Sequence, residues 1–270
     1  MAKRNLAGFR GKAMWYPVIL LLLMVMPTFE ASAMRSAITL AMWSDKWGLA
    51  KMIFQRAIMN DSRVVDTEEY DGWGYTALCH SLEHNDLTFT EFLLQHGADP
   101  NFNVKRVHSS RPIFFAKSVE ALELLRVHGA DLKAINRGEG YSAAMNLLHN
   151  SISCEVKDDR IFEYCLTHGL DPKEKTSLGG NLWHSLVPRS IFDCPHERLI
   201  MKAKSLHSLD ISPNEPDMYG KSALEQVNVR IEEESSHLMR NLQASKAFDE
   251  GCSIGELTKV ASFLQVMEGS

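Results

Sequence analysis

The sequence predicts an all-α fold, a solenoid of about six helix-pair repeats with short hairpin turns. Three observations carry this. One phrase recurs, as Leu94-Gln95-His96-Gly97-Ala98-Asp99-Pro100, Arg126-Val127-His128-Gly129-Ala130-Asp131-Leu132 and Leu166-Thr167-His168-Gly169-Leu170-Asp171-Pro172. A faded copy follows at Ser205-Leu206-His207-Ser208-Leu209-Asp210, and the steps are 32, 40 and 39 residues. A second phrase alternates with the first: Gly74-Tyr75-Thr76-Ala77-Leu78-Cys79, Ser110-Arg111-Pro112-Ile113-Phe114, Gly140-Tyr141-Ser142-Ala143-Ala144-Met145, Gly180-Asn181-Leu182-Trp183-His184 and Gly220-Lys221-Ser222-Ala223-Leu224-Glu225. Between the phrases, apolar residues fall at helical spacing: Phe89, Phe92 and Leu93; Leu122, Leu124 and Leu125; Ile161, Phe162 and Cys165.

The elements follow in chain order. Lys3, Arg4, Arg10 and Lys12 precede an apolar stretch of 13 residues from Met14 to Met26. Pro27 breaks it, and Ala31-Ser32-Ala33 supplies small residues for cleavage. This pattern predicts a signal peptide over residues 1–33 and a mature chain starting at Met34. The competing reading is an uncleaved membrane anchor over residues 14–26, although a span needs about 20 residues. In each repeat, Thr76, Ser142 or Ser222 is placed to cap a short first helix by accepting backbone N–H bonds. A break such as His84-Asn85-Asp86 leads into the second helix. Gly97, Gly129 and Gly169 end the second helices, where a left-handed residue is needed. His96, His128 and His168, one residue earlier, read as C-terminal caps favoured by the helix dipole. The following Asp begins an extended turn, and Leu257–Met267 reads as a helix within a tail at residues 247–270.

These motifs resemble ankyrin repeats, whose pattern opens on Thr-Pro-Leu-His and closes on a Gly-Ala-Asp turn. The resemblance covers about Met34 to Lys246 and divides it into units at residues 34–70, 71–105, 106–137, 138–176, 177–215 and 216–246. The first and last are degenerate, as capping repeats should be. The motif His survives only at His184 and its Pro only at Pro112, and the later units run to about 39 residues, which places insertions between paired helices. Cys79 takes the place of the motif His and Cys165 aligns with Leu93, both as core thiols. Cys154 and Cys194 each fall in the break between a unit's helices and form the disulfide candidate for an oxidising compartment. Cys252, near the tail, is expected to stay free.

The resemblance implies a protein-binding function, with the inter-repeat turns projecting as fingers beside the concave face of the first helices. Tyr70, Asp71, Trp73 and Tyr75 crowd one finger, Phe102, Lys105 and Arg106 the next, and Arg137 and Tyr141 a third. Aromatic residues and Arg dominate interface energies. The competing reading packs Tyr75 and Tyr141 between repeats. Trp73, beside Glu68, Glu69 and Asp71, is the expected anchor for a basic partner.

Composition agrees with a folded chain: 45% hydrophobic and 23% charged residues leave ample apolar surface. The net charge is −5, and residues 1–33 carry +3, so the chain after them carries −8. That balance argues against nucleic acid, which calls for a basic face. The histidines lie on successive repeats, not at metal-ligand spacing, so no metal is expected. Gly138-Glu139-Gly140-Tyr141-Ser142-Ala143 mimics a dinucleotide fingerprint, but it opens a repeat helix without the required strand. No nucleophile elbow or phosphate loop is present, so neither cofactor nor enzymatic activity is expected. The expected role is protein binding in the periplasm, with the membrane involved only if the first segment stays attached. Exported ankyrin proteins of this kind resemble immunity proteins that neutralise a delivered toxin, such as a type VI secretion effector, by occlusion. The alternative is a scaffold of the cell envelope, anchored by residues 14–26.

Overall fold

The computed structural model describes residues 46–61, 66, 75–103, 111–136, 145–153, 156–187, 195–244 and 263–267. Residues 1–33, expected to form a signal peptide, and Cys154, Cys194 and Cys252 lie outside them. Contacts divide the chain into two compact units, residues 1–81 with 88–99, and 82–87 with 100–270.

In the first unit, α1 (Trp47–Asn60) buries Ala50, Ile53, Phe54, Ala57 and Ile58 along one helical stripe. The ring of Phe89 lies 6.2 Å from Phe54 and 5.6 Å, edge-on, from Trp47. Phe89 belongs to α3 (Leu87–Gln95), the partner of α2 (Ala77–Glu83). A buried relay ties the pair: the Thr90 hydroxyl donates to Ser81 Oγ at 2.9 Å, and Ser81 donates to the Leu78 carbonyl at 2.8 Å. The carboxylate of Asp66 accepts the Asp99 N–H at 3.1 and 3.2 Å.

In the second unit, a four-residue 3-10 turn (Pro112–Phe115) precedes α4 (Val119–Val127). Strands β1 (Ile135–Asn136) and β2 (Met145–Asn146) pair antiparallel, Ile135 opposite Asn146. Then come α5 (Leu147–Ile152), α6 (Arg160–Thr167), α7 (Leu182–Leu186), α8 (His196–His207) and α9 (Ala223–Ala244). Residues 263–267 are again helical. The core runs through Leu122, Leu125, Leu148, Ile161, Leu182, Trp183, Leu206 and Val227. Fully burying one such aliphatic side chain contributes about 1.5–3 kcal/mol.

The terminal signals of the second helices act as the sequence predicts. Gly97, Gly129 and Gly169 have φ of +92°, +90° and +77°. Nδ1 of His96, His128 and His168 lies 2.7, 2.9 and 2.8 Å from the carbonyl four residues back. Thr76 and Ser222 cap their helices, accepting N–H bonds from Cys79 and Glu225 at 3.3 and 3.2 Å. Cys79 and Cys165 are both buried.

Four expectations change. The fourth unit's first helix opens at Leu147, not at Ser142: Asn146 is its cap, accepting from His149 N–H at 3.0 Å. Asn caps as well as Ser, and starting there turns Leu147 and Leu148 inward, 2% and 0% exposed. The fingerprint-like Gly138–Ala143 segment therefore precedes the helix instead of opening it. The shift also puts His149 three residues after its cap, where His184 stands after Asn181, so the motif His survives twice. The third unit's first helix shrinks to the 3-10 turn because Ala116 is already extended (φ −62°, ψ 128°). The turns are not purely loops: their extended arms satisfy backbone groups by pairing, in β1–β2 and in the bridge Pro216–Ser222. Finally, the last unit is one continuous helix of 22 residues, α9, with no break.

Polar ties step from each helix pair to the next within the second unit. Ser118 Oγ donates to Asn85 Oδ1 at 2.8 Å. Arg160 holds Glu120 at 2.9 Å and Asp158 at 2.7 Å. The Tyr164 hydroxyl donates to Glu123 at 2.7 Å, and Lys175 Nζ to Glu215 at 2.6 Å. Arg126 and then the Tyr164 hydroxyl hold the Glu123 carboxyl down at about 2; Arg160 lowers those of Glu120 and Asp158.

These groups set an acid response. Their folded values lie below the ordinary 4.5 and 3.8, so their contribution is full above those values and is lost as pH falls through the folded ones. Burial lowers His149 below 6.5, so the unfolded chain takes its proton first and stability also falls below about pH 6.5. Asp66, raised by burial, works the other way, against Glu120, Glu123, Asp158, His149 and Glu215, whose carboxyl Lys175 also lowers. Thermal unfolding is therefore expected to shift to lower temperature from pH 6.5 to pH 2. Added salt should reduce the carboxylate part of the shift. A melting temperature constant across that range would remove these ties from the account.

Candidate binding surface

Among the described residues, Pro216–Ser222 forms a turn tip closed by a backbone bridge. Asp217 organises it: Oδ1 accepts the N–H groups of Tyr219 and Lys221 at 2.9 and 3.0 Å, and Oδ2 accepts Gln226 Nε2 at 3.1 Å. The Asp217 N–H donates to Lys221 O at 2.9 Å, and Gly220 takes φ +74°. With the backbone so fixed, Met218 and Tyr219 point outward, 61% and 62% exposed. The neighbouring turn repeats the plan with Thr176 in the place of Asp217: the Gly180 N–H donates to Thr176 Oγ1 at 3.1 Å. The two turns join where the Met218 N–H donates to Leu178 O at 2.9 Å. A Cβ at Gly179 would meet Met218 N at 3.1 Å, so glycine permits this approach. Ile135, on the hairpin β1–β2, is 50% exposed.

Of the residues predicted to bind a partner, Tyr75 and Phe102 are described, and both are half-buried. The Tyr75 ring stands edge-on to His80 at 5.8 Å, so part of its surface is spent on packing. Tyr70, Asp71, Trp73, Lys105, Arg106, Arg137 and Tyr141 lie outside the described residues. Sequence reading missed Met218, Tyr219 and Ile135. For Tyr219 a signal was present: Asp217-Met218-Tyr219-Gly220 stands at the same distance before the cap Ser222 as Asp71-Gly72-Trp73-Gly74 before the cap Thr76. By that spacing Trp73 and Tyr219 are equivalent positions.

Inward of the turns, polar groups join successive units. His149 is 1% exposed. Its Nε2 donates to Glu174 O at 2.7 Å, and its Nδ1 lies 2.7 Å from Ser185 Oγ. The arrangement has the outline of a nucleophile and base, but burial lowers the imidazole's proton affinity and the ring faces no open surface, so it is a tie. His184 accepts the Asn181 N–H at Nδ1, 3.1 Å away, and its Nε2 reaches Lys221 O at 3.1 Å. Burial pushes the Cys165 thiol up to about 12, far from a reactive thiolate. Among the described residues, no group of three His, Cys, Asp or Glu side chains is placed to hold a metal ion.

Lys202 is 4% exposed, and the sequence reading did not single it out. Its Nζ donates to the carbonyls of Ser151, Ser153 and Val156 at 3.1, 2.7 and 3.3 Å, with Asp159 Oδ1 at 3.6 Å. Burial lowers its proton affinity while Asp159 opposes the shift. The ammonium closes the end of α5 and the inserted break after it, which is a structural duty.

No curated protein matches the chain. The family model described as Ankyrin repeat matches residues 73–104, and the chain carries an ankyrin repeat over that segment.

Proposed function

We propose that this chain binds a protein partner through its turn tips, with Trp73 and Tyr219 as equivalent aromatic anchors. Ankyrin repeats are in general protein-interaction modules. The observation that carries the reading is the Pro216–Ser222 turn. Its backbone is fixed by Asp217, and its two largest apolar side chains, Met218 and Tyr219, are left in water at a cost that binding would recover. The acidic chain after residue 33, at −8, favours a basic partner by complementary steering. The finer reading is an exported, periplasmic immunity protein that occludes a delivered toxin. It rests on the N-terminal export pattern together with the repeat. The test is co-expression with the product of a neighbouring toxin gene. A stoichiometric complex and loss of toxicity are expected; intact toxicity, with no complex at micromolar concentrations, would sink the immunity role.

A further inference from the structure

The repeated histidine breaks its own rule at the last copy. His96, His128 and His168 each place Nδ1 on a carbonyl of their own helix, four residues back. His207, the last residue of α8, instead directs Nε2 to the carbonyl of Val266, 59 residues further on. Its ring is held edge-on to Trp183 at 4.9 Å. Trp183 is 0% exposed and donates its indole N–H to Ile211 O at 2.7 Å, so the imidazole rests on a rigid support.

What His207 grips is amphipathic. Phe263 and Met267 are each 1% exposed and stand four residues apart, on one face of a helix, while Gln265 faces outward. Helices in proteins draw most of their stability from packing an apolar face, and Phe263 and Met267 supply that face here. The bond from His207 supplies a side-chain donor to the Val266 carbonyl. Among the described residues, α5 packs against α6 and α7 against α8, whereas α9 is a single helix of 22 residues.

We infer that the His207 end of α8 is a seat for a short amphipathic helix with bulky apolar side chains four residues apart, and that residues 263–267 of the same chain occupy it as a displaceable plug. The seat reads two apolar side chains and caps one carbonyl. Tethering in the same chain supplies an effective concentration on the order of millimolar, which keeps the seat filled.

The test uses the full chain. A Phe263→Ser, Met267→Ser variant and the unmodified protein are each titrated with a labelled synthetic peptide of residues 257–270, followed by fluorescence anisotropy. The variant is expected to bind with a Kd on the order of 10 µM, and the unmodified protein at least about tenfold more weakly, because its seat is taken. A peptide carrying both serines should not bind. No saturable binding to a folded variant, or equal binding to both proteins, would overturn the inference. A dimer of the unmodified protein that exchanges its tails would overturn the same-chain assignment. Should the double variant unfold, hydrogen exchange on full-length His207→Ala decides. Protection of residues 263–267 is expected to drop at least about tenfold while α5 to α8 keep theirs; unchanged protection would refute the grip.

Discussion

Lys202→Met is expected to destabilise the protein by about 3 kcal/mol, more than any other single substitution outside the apolar core. The methionine keeps most of the aliphatic stem, so the loss isolates the ammonium. Three carbonyls, of Ser151, Ser153 and Val156, would lose their donor in a place that is 4% exposed at Lys202. Asp159 Oδ1, already buried without a hydrogen-bond partner, would lose its nearest cation. Burying an ammonium is costly, and replacing a whole ionic group by apolar residues can be neutral. Here one partner leaves and four acceptors stay, so the penalty wins. For a chain of this size 3 kcal/mol corresponds to a fall in Tm of roughly 6–12 °C. Lys202→Arg should not restore it, since a planar guanidinium cannot direct three donors around a point as an ammonium does. Calorimetric melting of the three proteins checks this; a Lys202→Met protein that melts like the unmodified one would make the three bonds energetically empty.

The second large effect falls on binding. Trp73→Ala should weaken affinity for the partner by about 2 kcal/mol, roughly 30-fold in Kd. Tyr219→Ala should weaken it by about 1–2 kcal/mol. The two are matched by their place before the caps Thr76 and Ser222, and Tyr219 at 62% exposure makes no core contact to lose. Glu68→Lys should mainly slow association, more strongly at low salt. Melting temperatures of the aromatic variants should stay within about 1 °C of the unmodified protein. Calorimetric titration beside thermal unfolding separates the outcomes. A Tyr219→Ala protein that binds normally would remove that turn from the interface, and an early-melting Trp73→Ala protein would make Trp73 a packing residue.

Signals confined to one turn of helix were legible in the sequence. The glycines after α3, α4 and α6, the histidine before each of them, and the Thr76 and Ser222 caps act over three or four residues, and the structure places them as read. Errors arose where two local solutions compete. Ser142 and Asn146 are both good caps, and burial of Leu147 and Leu148 decides for Asn146. Pro112 looked like the motif's own proline, yet Ala116 ends its helix after a single turn. Lys202 was hidden by its type: lysines are expected in water, although its spacing from Leu199 and Leu206 places it near the buried stripe of α8. Tyr219 stands out less than Trp73 in the sequence because fewer aromatic residues surround it, although both share one Asp-x-aromatic-Gly spacing.

The stepwise ties have a kinetic meaning. Between Asn85 and Glu215, bonds that join neighbouring helix pairs include Asn85 with Ser118, Glu120 with Arg160 and Lys175 with Glu215, which stand 33, 40 and 40 positions apart. Closing a loop of that size costs only slightly more than closing a much shorter one, and no tie of this kind has to wait for the ends of the chain to meet. Such a topology lets structure nucleate at any one pair and spread to its neighbours, as in a one-dimensional lattice. It also lets structure be lost in the same way. Slowly exchanging amides should then cluster in the middle pairs, α5 to α7, with protection declining toward α9. Cooperativity in this region becomes a matter of how strongly adjacent pairs are coupled, and the Arg160 and Tyr164 contacts are the springs that set it.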